Sequence, residues 1–138
     1  ETNSLEMQFE EMLKLIRNLD DRKMPWVLAG SLHALPDNES YSRLPSSQLD
    51  RYNPNTELAL LKTNLYRVLP QAVIQNESNT NYPATFFPNG QRDGTGLCED
   101  YLIFSEYTLS TNDMSVLSNI QNLSRHLPVF TTFSLKSN

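Results

Sequence analysis

The amphipathic N-terminal segment most constrains what this chain can fold into. From Ser4 to about Asn18, Leu5, Phe9, Met12, Leu13, Ile16 and Leu19 recur at alternating three- and four-residue steps, with Glu6, Glu10, Glu11, Lys14 and Arg17 on the other side. That period puts one apolar stripe on an α-helix, and the stripe must lie against something apolar. Ser4 is the expected N-cap, and the early acids suit the positive end of the helix dipole. The turn Asp20-Asp21-Arg22-Lys23 ends the helix. Met24-Pro25 then leads into Trp26-Val27-Leu28-Ala29, an apolar run of strand length without alternation, which suits a strand covered on both faces.

From Ser31 to about Asn55, Pro36, Asp37, Asn38, Pro45, Ser46, Ser47, Asn53 and Pro54 break any period, which predicts a long surface loop. Asn55 or Thr56 is then placed to cap a short helix through Leu58, Leu60 and Leu61, followed by a brief strand Tyr66-Arg67-Val68-Leu69 that Pro70 ends. Gln75 to Asn81 reads as loop. Pro83 to Phe87 reads as a strand, and a loop carrying Asn89, Gly90, Gly94 and Gly96 runs into the short apolar strand Asp100 to Phe104. Ser110 to Leu117 is weakly strand-like, and Val129, Thr131, Phe133 and Leu135 alternate with Phe130, Thr132 and Ser134 along a last strand. Helix, strand, then mainly strands in succession predict an α/β chain of the α+β type, with a mixed, mostly antiparallel sheet carrying helices on one face.

Residues 1–138 have the size of one ordinary domain, and a hydrophobic content of 38% supplies a core. The net charge of −5 argues against a general basic surface for nucleic acid or anionic membrane, although a local basic site is compatible with it. One cysteine, Cys98, has no internal disulfide partner. No apolar run reaches the roughly 20 residues that span a bilayer, and the acidic, polar start does not read as a signal peptide.

The stretch Gly96 to Ser105 draws the eye to chemistry, because an acid, Asp100, stands at the mouth of a strand beside a flexible loop. Such an acid also serves as a turn cap. Two further stretches set it apart, Pro25-Trp26-Val27-Leu28-Ala29-Gly30-x-Leu32-x-x-Leu35-Pro36 and Ser124-x-His126-Leu127-Pro128-Val129. In this order, together with Glu99-Asp100-Tyr101-Leu102-Ile103-Phe104-Ser105, they resemble the C-terminal half of the endonuclease/exonuclease/phosphatase superfamily. Tyr52-Asn53-Pro54-x-Thr56-Glu57-Leu58 and Thr85-Phe86-Phe87-Pro88-Asn89-Gly90 resemble its bacterial members, so the likeness covers nearly the whole chain.

The resemblance implies one half of a four-layer α/β/β/α sandwich and descent from metal-dependent phosphodiesterases or phosphomonoesterases. It also implies substitutions at the site. The family's Gly-Asp-x-Asn aspartate falls on Ser31 and its asparagine on His33, the aspartate of x-Asp-Tyr on Asp100, the aspartate of Ser-Asp-His on Arg125, and the histidine on His126. A hard cation such as Mg²⁺ seeks carboxylate and water oxygens. A hydroxyl at Ser31 removes one negative charge and Arg125 inserts a positive one, so a metal site there is expected to be much weakened.

The surviving Asp100 and His126 are expected to touch, either as a dyad that binds or protonates a phosphate oxygen or as a structural hydrogen bond. Arg125 is placed to meet phosphate with two parallel hydrogen bonds or to pair with a neighbouring acid. His33 is a second expected phosphate contact, and with His126 and Asp100 it also resembles a two-histidine, one-carboxylate metal set.

Because the resemblance starts at the helix that follows the family's N-terminal half, one sheet face is expected to be apolar and unpartnered, an interface for that half or another chain. The expected function is that of a degenerate half-domain, a pseudoenzyme or interaction subunit with no resident metal and with a phosphate-bearing ligand as a possible partner. The alternative is a divergent phosphodiesterase, a nuclease or phosphatase, using Mg²⁺ and completed by an N-terminal half or second chain.

Overall fold

The computed structural model describes residues 2–74, 84–90, 96–112, 114–119 and 124–137, the side chains of 2–5 excepted. The expected loop Gln75 to Asn81 lies outside the described residues, as do Pro83 and Gly94.

Helix α1 runs Thr2–Asp21, so Ser4 lies within it rather than capping it. Its stripe is as expected, with Phe9, Leu13 and Ile16 buried and Met12 and Leu19 packed beside them. The C-terminal end closes with two hydrogen bonds, Met24 N donating to the Leu19 carbonyl and Lys23 N to that of Asp20, both at 2.9 Å. These are the paired bonds of a Schellman cap, which needs a left-handed residue at the position Lys23 occupies with φ 54°. Trp26 is fastened to the same end, its Nε1 donating to Asp20 Oδ1 at 2.8 Å.

Strand β1 (Val27–Ser31) is not covered on both faces. Only the side of Trp26 and Leu28 joins the core, while Val27, Ala29, Gly30 and Ser31 are exposed. The alternation was hidden because both faces are apolar in composition. The expected loop after β1 holds a short helix α2 (Asn38–Ser42), capped by Asp37, whose Oδ1 accepts from Ser40 N at 2.7 Å, and a 3₁₀ turn over Ser46–Arg51. It is anchored, because Leu35, Tyr41 and Tyr52 from this segment pack with Phe86 and Leu97 in a second buried cluster.

Helix α3 (Pro54–Leu58) is capped by Asn53 rather than Asn55 or Thr56, with Pro54 at the first helical position. It continues through a wider π-type segment, Ala59–Asn64, into α4 (Leu65–Val68), where a strand was expected. Leu61, Leu65 and Leu69, four residues apart, all reach the main core, and that spacing favours helix.

Strand β2 (Ala72–Ile74) follows, then β3 (Asp100–Ser105), β4 (Leu109–Thr111), β5 (Ser115–Val116), β6 (Val129–Phe130) and β7 (Phe133–Leu135). The main sheet has the order β1-β3-β2, antiparallel throughout, so the chain belongs to the α+β class. Directly opposed residues share a face. Leu28, Ile103 and Ile74 therefore line up on the core side with Tyr101 and Ala72, against the leucines of the α3–α4 run and the stripe of α1.

The opposite side carries Val27, Phe104 and Val73 in one row, then Ala29 with Leu102, then Ser31 with Asp100. It is bare only in part. Leu102 and Phe104 are buried, and Phe133 of β7 packs edge-on against Phe104 with centroids 5.3 Å apart. The uncovered portion is along β1.

The two late strands expected as continuous runs are each split, because β4 pairs with β7 and β5 with β6. Asn112 and Thr131 mark the break, Thr131 Oγ1 donating to the Asn112 carbonyl at 2.8 Å. The Thr85–Phe87 segment makes isolated pairings instead of a strand, Phe86 bridging to Leu97 on one side and His126 on the other. Gly96 permits this closeness, since a Cβ there would lie 2.4 Å from Ala84 Cβ and about as near the Phe87 ring as atoms can come, at 2.9 Å. Among the described residues no helix is long and apolar enough to cross a membrane.

Candidate functional site

Two strand ends and one bridge assemble the site. Antiparallel pairing sets Ser31, the last residue of β1, directly opposite Asp100, the first of β3. The double bridge of Phe86 brings His126 to the same place, reinforced by Leu127 N donating to the Thr85 carbonyl at 2.7 Å and Phe87 N to that of Arg125 at 2.9 Å. Thr85 is the pivot beneath. Its buried Oγ1 accepts from the backbone N–H groups of both Glu99 and Asp100, each at 3.1 Å.

Asp100 and His126 touch, Nδ1 lying 2.9 Å from Oδ2 and 3.1 Å from Oδ1. A carboxylate only accepts, so Nδ1 carries the proton and Nε2 is left on the far side of the ring. The Phe86 ring, 4.6 Å away between centroids, holds the imidazole from the side. Asp100 is mostly buried at 14% exposure and the imidazole is 40% exposed, so the dyad presents its histidine to solvent.

His33 goes elsewhere. It sits with φ 50°, a left-handed conformation that Asn, Asp and His adopt more readily than most residues. Its Nε2 donates to the Arg51 carbonyl at 2.8 Å, its ring stacks on Tyr52 at 5.0 Å, and Nδ1 faces Glu99 Oε1 at 3.7 Å. Both nitrogens thus face protein groups. Among the described residues no three His, Cys, Asp or Glu side chains converge, so the histidine-rich metal set of His33, His126 and Asp100 is not assembled. Arg125 is exposed, immediately before His126.

Sequence reasoning passed over what supports this site. Glu99, 2% exposed, accepts the hydroxyl hydrogen of Tyr52. Burial first, then the Glu99 carboxylate, pushes the Tyr52 phenol well above its ordinary ionisation range. A parallel pair lies alongside: Tyr41 donates to Glu57 Oε2 at 2.7 Å and accepts from Leu35 N at 2.9 Å, while Glu57 Oε1 accepts from Asn53 N at 2.8 Å. Burial is again the larger cause of the upward shift of Tyr41.

Arg51, also overlooked, places its guanidinium over two rings, 5.8 Å from the centroid of Tyr52 and 5.4 Å from that of Phe86, with Nη1 donating to Gln48 Oε1 at 3.1 Å. The acid next to Asp100 and the Arg before the quoted Tyr52 motif were the available signals.

At Ser31, Asp100, Arg125 and His126 the donor set is one hydroxyl, one carboxylate already held by an imidazole, one guanidinium and that imidazole. These residues do not fit a resident Mg²⁺, which needs several anionic or water oxygens in octahedral array. No family model matches the chain, and no curated protein or solved structure matches it.

Proposed function

We propose that this chain is a half-domain of the endonuclease/exonuclease/phosphatase type, one side of a four-layer sandwich, that binds rather than hydrolyses. The observation that carries the proposal is the pairing of Ser31 with Asp100 across β1 and β3, a hydroxyl where a second carboxylate would be needed to hold a hard cation. The lone carboxylate is committed to His126. The exposed stretch of β1, with Val27 43% exposed and Ala29 beside it on the same face, is the surface on which the complementary half or another chain would dock. Hydrolysis of bis(p-nitrophenyl) phosphate in Mg²⁺ or Mn²⁺ is the test. The expected rate equals that of the Asp100→Ala variant; robust turnover that Asp100→Ala abolishes would sink the proposal.

One observation favours a second reading, a divergent phosphodiesterase whose metal-binding carboxylates come from outside these residues. His126, 40% exposed, has Nδ1 held by Asp100, which leaves Nε2 to act as a general base when the ring is neutral and as a general acid when it is protonated. If adding the chain's natural neighbour gives no activity with any divalent metal, this reading fails.

A further inference from the structure

We infer that two copies of this chain pair edge to edge through β1, antiparallel about a two-fold axis at Ala29, so that two three-stranded sheets join into one of six strands. This pairing uses the edge of β1, not the face offered to a complementary half, and it is independent of what the site does with phosphate. β1 is the outermost strand in the order β1-β3-β2. Leu32 N donates to the Glu99 carbonyl at 3.1 Å, so alternation along the antiparallel ladder turns the backbone groups of Leu28 and Gly30 towards β3 and those of Val27, Ala29 and Ser31 away from it. Among the described residues no partner meets these outward N–H and C=O groups. Val27, Ala29, Gly30 and Ser31 are exposed, so no described element overhangs the edge.

The symmetry of the edge singles out a second copy as its partner. Pro25 has no N–H to donate, and at His33, with φ 50°, the chain leaves the extended path; each lies four residues from Ala29. In a two-fold pairing centred on Ala29 these two stops coincide, Pro25 of one copy opposite His33 of the other. Between them Ala29 meets Ala29, and Val27 meets Ser31 on either side, so that opposed residues exchanging two bonds each satisfy every outward N–H and C=O of the strand. The side chains agree with the backbone. On the core side Leu28 falls opposite Gly30 of the second copy, where nothing lies within 4 Å of the position a Cβ would take, so the leucine has room to pack. The strand also lacks the devices that keep edges apart, with no charge and no proline between Val27 and Ser31. Because each chain carries a net charge of −5, an uncharged strand is where two copies approach with least repulsion.

The test is sedimentation equilibrium of the full chain over a wide concentration range, with NMR on the same samples. The expected result is a reversible equilibrium in which the mass rises from 15.8 kDa to twice that, half complete on the order of 0.1 mM, as suits a small interface. In the dimer, amide exchange slows at Val27, Ala29 and Ser31 and is unchanged at Leu28 and Gly30, which already face β3. A mixture of labelled and unlabelled chains shows an intermolecular NOE between the α-protons of Leu28 and Gly30, the close pair of this register. Ala29→Pro removes an N–H that β3 does not use, a place where an edge strand accepts proline, and weakens dimerisation roughly tenfold or more. Ala29→Lys keeps every backbone group and weakens it by setting two ammonium groups together at the axis. A chain that stays monomeric to about 1 mM, a dimer whose outward amides exchange as fast as in the monomer, dimerisation that folded Ala29→Pro and Ala29→Lys variants both retain, or protection of those amides only after a different chain is added would each overturn the inference.

Discussion

Tyr52 and Glu99, 47 residues apart in the chain, meet in the interior, the phenol donating its hydrogen to a carboxylate that water scarcely reaches. Removing the hydroxyl leaves a buried charge short of a donor, and hydrogen bonds to charged groups are worth more than neutral ones. Tyr52→Phe should cost about 2 kcal/mol in urea unfolding followed by circular dichroism. A variant as stable as the parent would mean that Glu99 is satisfied without Tyr52.

The same burial makes a prediction at alkaline pH. The phenols of Tyr52 and Tyr41 ionise above their ordinary value of 10.0 in the folded chain, chiefly through burial and with the Glu99 and Glu57 carboxylates adding to it. A group whose folded value is raised gives stability that is complete below the unfolded value and is lost as pH climbs above it. Melting temperature should hold through pH 9 and fall steeply beyond about 10, where the unfolded chain's tyrosines begin to release protons. Replacing both residues by Phe should flatten that decline, as measured by melts across the range; an unchanged slope would place its origin in other groups.

Two buried hydroxyls offer a contrast. Thr85 Oγ1 accepts from the Glu99 and Asp100 N–H groups, whereas Ser105 Oγ has no hydrogen-bond partner among the described residues, and both residues are fully buried. Thr85→Val keeps the shape but orphans two backbone donors at about 1–3 kcal/mol each, while Ser105→Ala removes an unpaired polar group and should be neutral or stabilising. Equal losses in chemical denaturation would refute the assignment of Thr85 as the pivot beneath the site.

Lys23 occupies the left-handed position of the Schellman cap on α1, where a Cβ costs roughly 1 kcal/mol relative to glycine. Part of this is offset by its ammonium lying 5.2 Å over the Tyr107 ring, an exposed contact of about 0.5 kcal/mol. Lys23→Gly should therefore stabilise the chain slightly, by about 0.5 kcal/mol. Destabilisation by thermal melting would show that the ring contact outweighs backbone strain.

These residues show why some of the molecule could be read from its sequence and some could not. The helix stripe Phe9, Leu13 and Ile16 and the central strand from Tyr101 to Phe104 were legible because burial leaves a local period or an apolar run. The splitting of Val129 to Leu135 was not, since it depends on two different partner strands rather than on its own alternation. Leu61, Leu65 and Leu69 carried a helical signal, but Tyr66 and Val68 between them favour strand by propensity and obscured it. At the site, the contact of Asp100 with His126 followed from the resemblance, while Arg51 and Glu99 gained their places only through long-range pairing with Phe86 and Tyr52.

The last prediction concerns the proton on His126. Asp100 accepts from Nδ1 through both carboxylate oxygens, so the neutral ring should exist as the Nδ1–H tautomer, a form that needs such an acceptor to be favoured. Long-range ¹H–¹⁵N correlation spectra of the neutral ring should show that pattern in the parent chain. In Asp100→Ala the acceptor is gone, and the pattern should move towards Nε2–H. Because the ring also rests on Phe86 at 4.6 Å and its backbone is bridged to the same residue, the side chain should stay in place while its proton moves. Retention of the Nδ1–H pattern in the variant would mean that another acceptor sets the tautomer. The protonation of Nε2 would then owe nothing to Asp100, and the reading of the pair as one functional unit would fail with it.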